Sequence, residues 1–99
     1  MDHYLLAGLA RQLPTTWNSR ALARIGEADL KLLRMDAQPG APETHQHAEG
    51  LLVIEGRLNL LVAGTPVSVR AGELYLVPAG VPHAVAAGSS GTLLIIEHH

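Results

Sequence analysis

His45, Gln46 and His47 form a His-x-His pair, and Glu49 follows two residues later. Side chains at i and i+2 of a strand share a face. An extended chain therefore predicts that His45 and His47 point the same way, about 6.5–7 Å apart along the strand. Two imidazoles so placed can converge on one ion at the usual zinc–nitrogen distance of about 2.0–2.1 Å. Taken alone, the pair reads more readily as two ordinary surface or turn histidines. A third histidine, His83, closes the segment Gly72-Glu73-Leu74-Tyr75-Leu76-Val77-Pro78-Ala79-Gly80-Val81-Pro82-His83. Pro78 fixes φ there, and Gly80 supplies a positive φ if the turn needs one. Pro82 biases Val81 toward extended geometry, which aims His83 reproducibly. On its own this segment reads as a hairpin with an incidental histidine.

Together the two segments say more. They resemble the paired motifs of the cupin superfamily. Gly40, His45, His47, Glu49 and Gly56 follow the order of the first motif, with six residues between Glu49 and Gly56. Gly72, Pro78, Gly80 and His83 match the spacing of the second. Fifteen residues separate Gly56 from Gly72, which is similar to the short inter-motif segment of small cupins. The segments Trp17-Asn18-Ser19-Arg20 and Leu32-Leu33-Arg34-Met35 also resemble a group of small conserved-barrel cupins loosely called mannose-6-phosphate-isomerase-like. That label follows the fold and does not establish sugar isomerisation. The resemblance implies that His45, His47, His83 and Glu49 hold one divalent transition metal ion: Fe, Mn, Ni, Cu or Zn.

The chain departs from the family pattern in three places. One residue separates His47 from Glu49 where the family has a longer gap, four separate Gly40 from His45, and Ala87 replaces a terminal Asn that is not a ligand in the family. On a straight strand Glu49 would share the histidine face but lie about 13 Å beyond His45. Direct ligation therefore requires a bend around 48–50, which Gly50 permits. The alternative is a Glu49 that only hydrogen-bonds a histidine or water at the ion. Among the nearby carboxylates Glu49 is expected nearest the metal. Glu43 follows Pro42 in a lead-in turn, and Glu55 precedes Gly56 at a hairpin and should face solvent.

The elements that must position these residues are short. Leu5, Leu6, Leu9 and Leu13 recur at helical spacing and Pro14 stops them, so residues 1–14 are expected to form a helical segment packed on the rest. After Asn18, apolar runs at 21–25, 30–35, 51–54, 58–62, 67–69, 74–77, 83–86 and 93–96 alternate with Gly- and Pro-bearing turns. That rhythm predicts an all-β jelly-roll barrel over 19–97, the cupin double-stranded β-helix, in one domain spanning 1–99. Nothing after Pro14 is long and periodic enough for a crossover helix.

A net charge of −2 leaves no basic footprint for nucleic acid. With no cysteine, neither a disulfide framework nor a thiolate metal site is possible. The N-terminus has Asp2 instead of a basic start, and Arg11 and Gln12 interrupt its apolar run, so no signal peptide or membrane span is expected and a cytoplasmic protein is. Trp17 reads as a packing anchor. His3, His98 and His99 sit near the termini and are left out of the site. The barrel interior should be a small, mostly apolar pocket beside the metal. Two functions fit: a metal-dependent enzyme acting on a small molecule, or a non-catalytic small-ligand or metal-sensing module. The leucine-rich helix, the small core and the resemblance together predict a homodimer.

Overall fold

The computed structural model describes residues 3–99, so the expectation for Asp2 lies outside the described residues. The helix α1 is Leu6–Arg11, shorter than its apolar spacing suggested. Leu5 caps it with no side-chain hydrogen bond, which leaves the first turn without the usual acceptor. Seven strands follow: β1 Arg20–Ile25, β2 Ala28–Met35, β3 Glu49–Val62, β4 Thr65–Arg70, β5 Leu74–Val77, β6 His83–Val85 and β7 Ser90–His98.

The organising strand is β3. All its pairings are antiparallel: with β7 and β5 through its first part, and with β4 and β6 through its second. The last strand, β7, lies between β2 and β3, with β1 outermost. The expected hairpin at Gly56 does not exist; the runs 51–54 and 58–62 are one continuous strand. The β3–β7 register slips between Val53 and Glu55. An extra residue in one strand reverses which parity faces inward. Leu51 and Val53 thus enter the core before the slip, and Leu58 and Leu60 after it. Gly56 lies just beyond with φ 81, and a Cβ there would collide with the Ser90 carbonyl. Only glycine tolerates both conditions. Glu55 does not simply face solvent: it pairs with Arg11 at 2.9 Å and accepts from Thr92 Oγ1 at 3.3 Å.

Register shows what each sheet face carries. Leu33 stands opposite Leu93, which stands opposite Val53, and all three are buried in the core. On the other face Leu32, Leu94, Leu52 and Leu74 align across four strands, beside Leu30, Ile96, Gly50 and Leu76. Part of this second face is covered: α1 packs on β2, β7 and β3, and Ala10, Leu13 and Leu32 are buried. Leu74 and Leu76 remain 52% and 63% exposed. Among the described residues no helix is long and apolar enough to cross a membrane.

Candidate metal centre

His83 begins β6, opposite Val62 of β3. The turn before it closes through Val81 N–H donating to Pro78 O at 3.3 Å, with Gly80 at φ 77. Gly80 N–H also donates to the His45 carbonyl at 2.8 Å. The turn of one sequence motif thereby holds the histidine of the other. Glu43 joins them through a two-way backbone bridge, its N–H donating to His83 O at 2.7 Å and its carbonyl accepting from His83 N–H at 3.0 Å.

Three side chains converge as a result. Donor atoms of Glu43, His45 and His83 all lie within 4.8 Å of one another. The two imidazole centroids are 5.2 Å apart. Glu49, the first residue of β3, turns into the same place, with Oε1 3.4 Å from His83 Nε2 and Oε2 3.8 Å from His45 Nε2. Glu43 Oε2 is 3.4 Å from His45 Nε2.

The protonation of His83 follows from its partner. Nδ1 lies 3.0 Å from the Val81 carbonyl, and a carbonyl oxygen only accepts, so Nδ1 carries the proton. In the neutral ring Nε2 then carries the lone pair. That Nε2 and the Nε2 of His45 are both buried without a hydrogen-bond partner. Buried polar atoms normally find partners, and an ion is one chemistry that satisfies two nitrogens and two carboxylates together. Donors sharing an ion at about 2.0–2.1 Å in tetrahedral array stand about 3.3 Å from each other. The observed separations of 3.4 and 3.8 Å are close to that spacing. Glu43, His45 and His83, whose donor atoms are mutually close, fit a divalent metal, with Glu49 beside the two histidines.

His47 does not join the group. Residues Gln46 and His47 form a bend outside any strand, so the same-face rule for i and i+2 does not hold for this pair. The His47 ring stacks instead on His98 at 3.9 Å between centroids. Glu43 is the residue that spacing did not favour. Its position two before His45 was one available signal; its bridge to His83 was not visible in sequence.

Glu49 has a second neighbourhood. Glu97 stands directly opposite it in the β3–β7 register, and Lys31 Nζ pairs with Glu97 at 2.7 Å. Burial first, then the Glu97 carboxyl, push the Glu49 carboxyl above its ordinary value, while His45 and His83 pull the other way.

Beside the cluster lies a cavity of about 380 Å³. Glu43, Glu49 and His83 line it together with Leu51, Leu60 and Ile95. Residues of the segments 17–19 and 38–41 complete its wall.

Residues 33–98 match the family described as the Cupin domain. No curated protein matches the chain. Its structure is similar to that of a cupin-2 domain containing protein from Shewanella frigidimarina, 26% identical, covering 90% of this chain and 87% of that one with a TM-score of 0.82. A Neisseria meningitidis protein is 20% identical over 98% of this chain and 99% of its own, with a TM-score of 0.83. A cupin superfamily protein from Desulfitobacterium hafniense, 20% identical, covers 99% and 92% with a TM-score of 0.77. The last two show likeness of fold alone.

Proposed function

The chain belongs to the cupin family, and on that premise we propose that it binds one divalent transition metal ion through His45, His83, Glu43 and Glu49, beside a pocket for a small molecule. The observation that carries this reading is the pair of buried, unpartnered Nε2 atoms facing carboxylates. Within the set Fe, Mn, Ni, Cu or Zn, two carboxylates among four donors favour the harder Mn and Fe ions over Cu. A bound ion supplies a Lewis acid that polarises an oxygen of the ligand. His83 contributes by holding its tautomer through Val81, and Glu43 and Glu49 offset the ion's charge.

One use of such a site is a metal-dependent enzyme acting on the small molecule. The non-catalytic reading, a ligand or metal sensor, has its own support: the titratable residues lining the cavity are Glu43, Glu49 and His83, all of them in the ligand cluster. No Lys or Arg lines it, so nothing in the cavity favours a sugar phosphate. We further place the protein in the cytoplasm as a homodimer, joined through the outer face that carries Leu74 and Leu76.

Elemental analysis of purified protein is expected to find one transition metal per chain. His45→Ala and His83→Ala should each weaken metal binding by at least the about 10–100-fold that losing an outer hydrogen-bond partner costs. His47→Ala should leave occupancy unchanged. Full occupancy in the His45→Ala/His83→Ala double variant would overturn the reading. A turnover screen with the metal restored separates enzyme from sensor.

A further inference from the structure

Trp17 is the protein's one tryptophan, and it has a left-handed backbone with φ 63. A bulky non-glycine residue rarely adopts that conformation unless its surroundings impose it. The surroundings here are specific. Trp17 N–H donates to Arg34 O at 2.9 Å, and the indole Nε1–H donates to Asp36 Oδ1 at 2.8 Å. The same carboxylate accepts from Thr16 Oγ1 through Oδ2 and from Gln38 N–H at 2.9 Å through Oδ1. Asp36 thus ties the segment before β1 to the segment after β2. Both segments line the cavity, through Trp17 and through Gln38.

The cavity's chemistry is equally specific. Outside the metal-binding cluster its polar side chains are Ser19 and Gln38, and the rest of the lining is apolar or small. With no metal bound, an anion entering it would meet two carboxylates and, among the described residues, no Lys or Arg. Burying an unpaired charge is costly. Trp17 adds an aromatic residue to the lining.

We propose that Trp17 is a specificity-determining wall of this cavity, held in place by Asp36 as a positioning residue, and that the site takes a planar, uncharged molecule of one or two rings bearing an oxygen. The orientation of that oxygen toward Glu43, Glu49 and His83 rests on the metal reading; the preference for a planar, neutral body is that of the metal-free cavity, because a bound divalent ion would attract an anion. Thr16, then Gln38 and Trp17, hold the Asp36 carboxyl below its usual range, so it is an ionised acceptor at neutral pH.

The test follows the single indole N–H resonance of ¹⁵N-labelled protein, metal-free and zinc-loaded. The probes are benzyl alcohol, cyclohexylmethanol and benzoate, matched in size but differing in planarity and charge. In the metal-free protein benzyl alcohol should shift the indole signal and bind at least about tenfold more tightly than benzoate, with cyclohexylmethanol between them. Asp36→Ala should move the indole resonance upfield and weaken benzyl alcohol severalfold, whereas Asp36→Asn, which keeps a side-chain oxygen, should restore both. If Asp36→Ala does not fold, Trp17→Phe and Trp17→Leu read the same point by ligand-observed saturation transfer, with the planar preference kept in the first and lost in the second. Benzoate binding the metal-free protein as tightly as benzyl alcohol would overturn the proposal. So would an Asp36→Ala variant with unchanged resonance and affinity. Zinc affinity, measured separately by calorimetry, reports on the metal reading alone: its failure leaves the metal-free titrations standing.

Discussion

Glu49 serves two opposed demands. In the proposed metal site it must be ionised; as a buried group opposite Glu97 it resists ionisation. A carboxyl whose folded pKa lies above its unfolded 4.5 favours the fold below that pH, and this advantage is lost as pH rises through the folded value. Glu49→Gln should therefore raise the melting temperature of the metal-free protein at pH 7 by several degrees, the effect of about 1 kcal/mol in a domain this size. The difference from wild type should close as pH falls below 4.5. The same variant should bind metal more weakly. Thermal scans with and without metal, at two pH values, check all three outcomes, and a Glu49→Gln variant less stable than wild type at pH 7 without metal would contradict the account.

At the scale of elements, β3 bends where its parity reverses, and Gly56 lies beside that point. Gly56→Ala should destabilise the protein by at least about 2 kcal/mol, since the new methyl meets the Ser90 carbonyl in a left-handed backbone. That corresponds to a loss of about 10 °C or more in melting temperature, which calorimetry reads directly. The same strand shows what the sequence could reveal. The alternation of apolar runs and turn residues disclosed an all-β chain, and the Pro78-Ala79-Gly80 turn leading to His83 was legible because proline and glycine act locally. The slip between Val53 and Glu55 was not, because a bulge depends on the partner strand β7, some forty residues away. The outward turn of His47 was hidden for a similar reason. The path of 44–48 is tied by Gly80 to the His45 carbonyl, a contact that no i, i+2 rule contains. Trp17 was legible as an anchor, but its link to Asp36 was not.

At the scale of the molecule, the outer face of β2, β7, β3 and β5 carries aligned apolar rows that α1 covers only in part. On that face Leu74 and Leu76 are each more than half exposed, and exposed apolar surface of this kind marks interaction sites. Light scattering at micromolar concentration should give twice the 10.5 kDa chain mass. Leu76→Glu should shift it toward the monomer, and a monomeric wild type would refute the proposed dimer. The position of β7 has a further consequence. The last of the seven strands, β7, lies between β2 and β3, so those two, although consecutive in sequence, have no edge-to-edge pairing of their own. While the chain is being synthesised, β1 and β2 can form a hairpin and β3 can pair with β4, β5 and β6 as each emerges. These are two half-assemblies with open edges, and unpaired edges are aggregation-prone. They can be joined only after the residues of β7 have left the ribosome. The slow step in folding this domain is therefore expected to be the insertion of one late strand between two early ones.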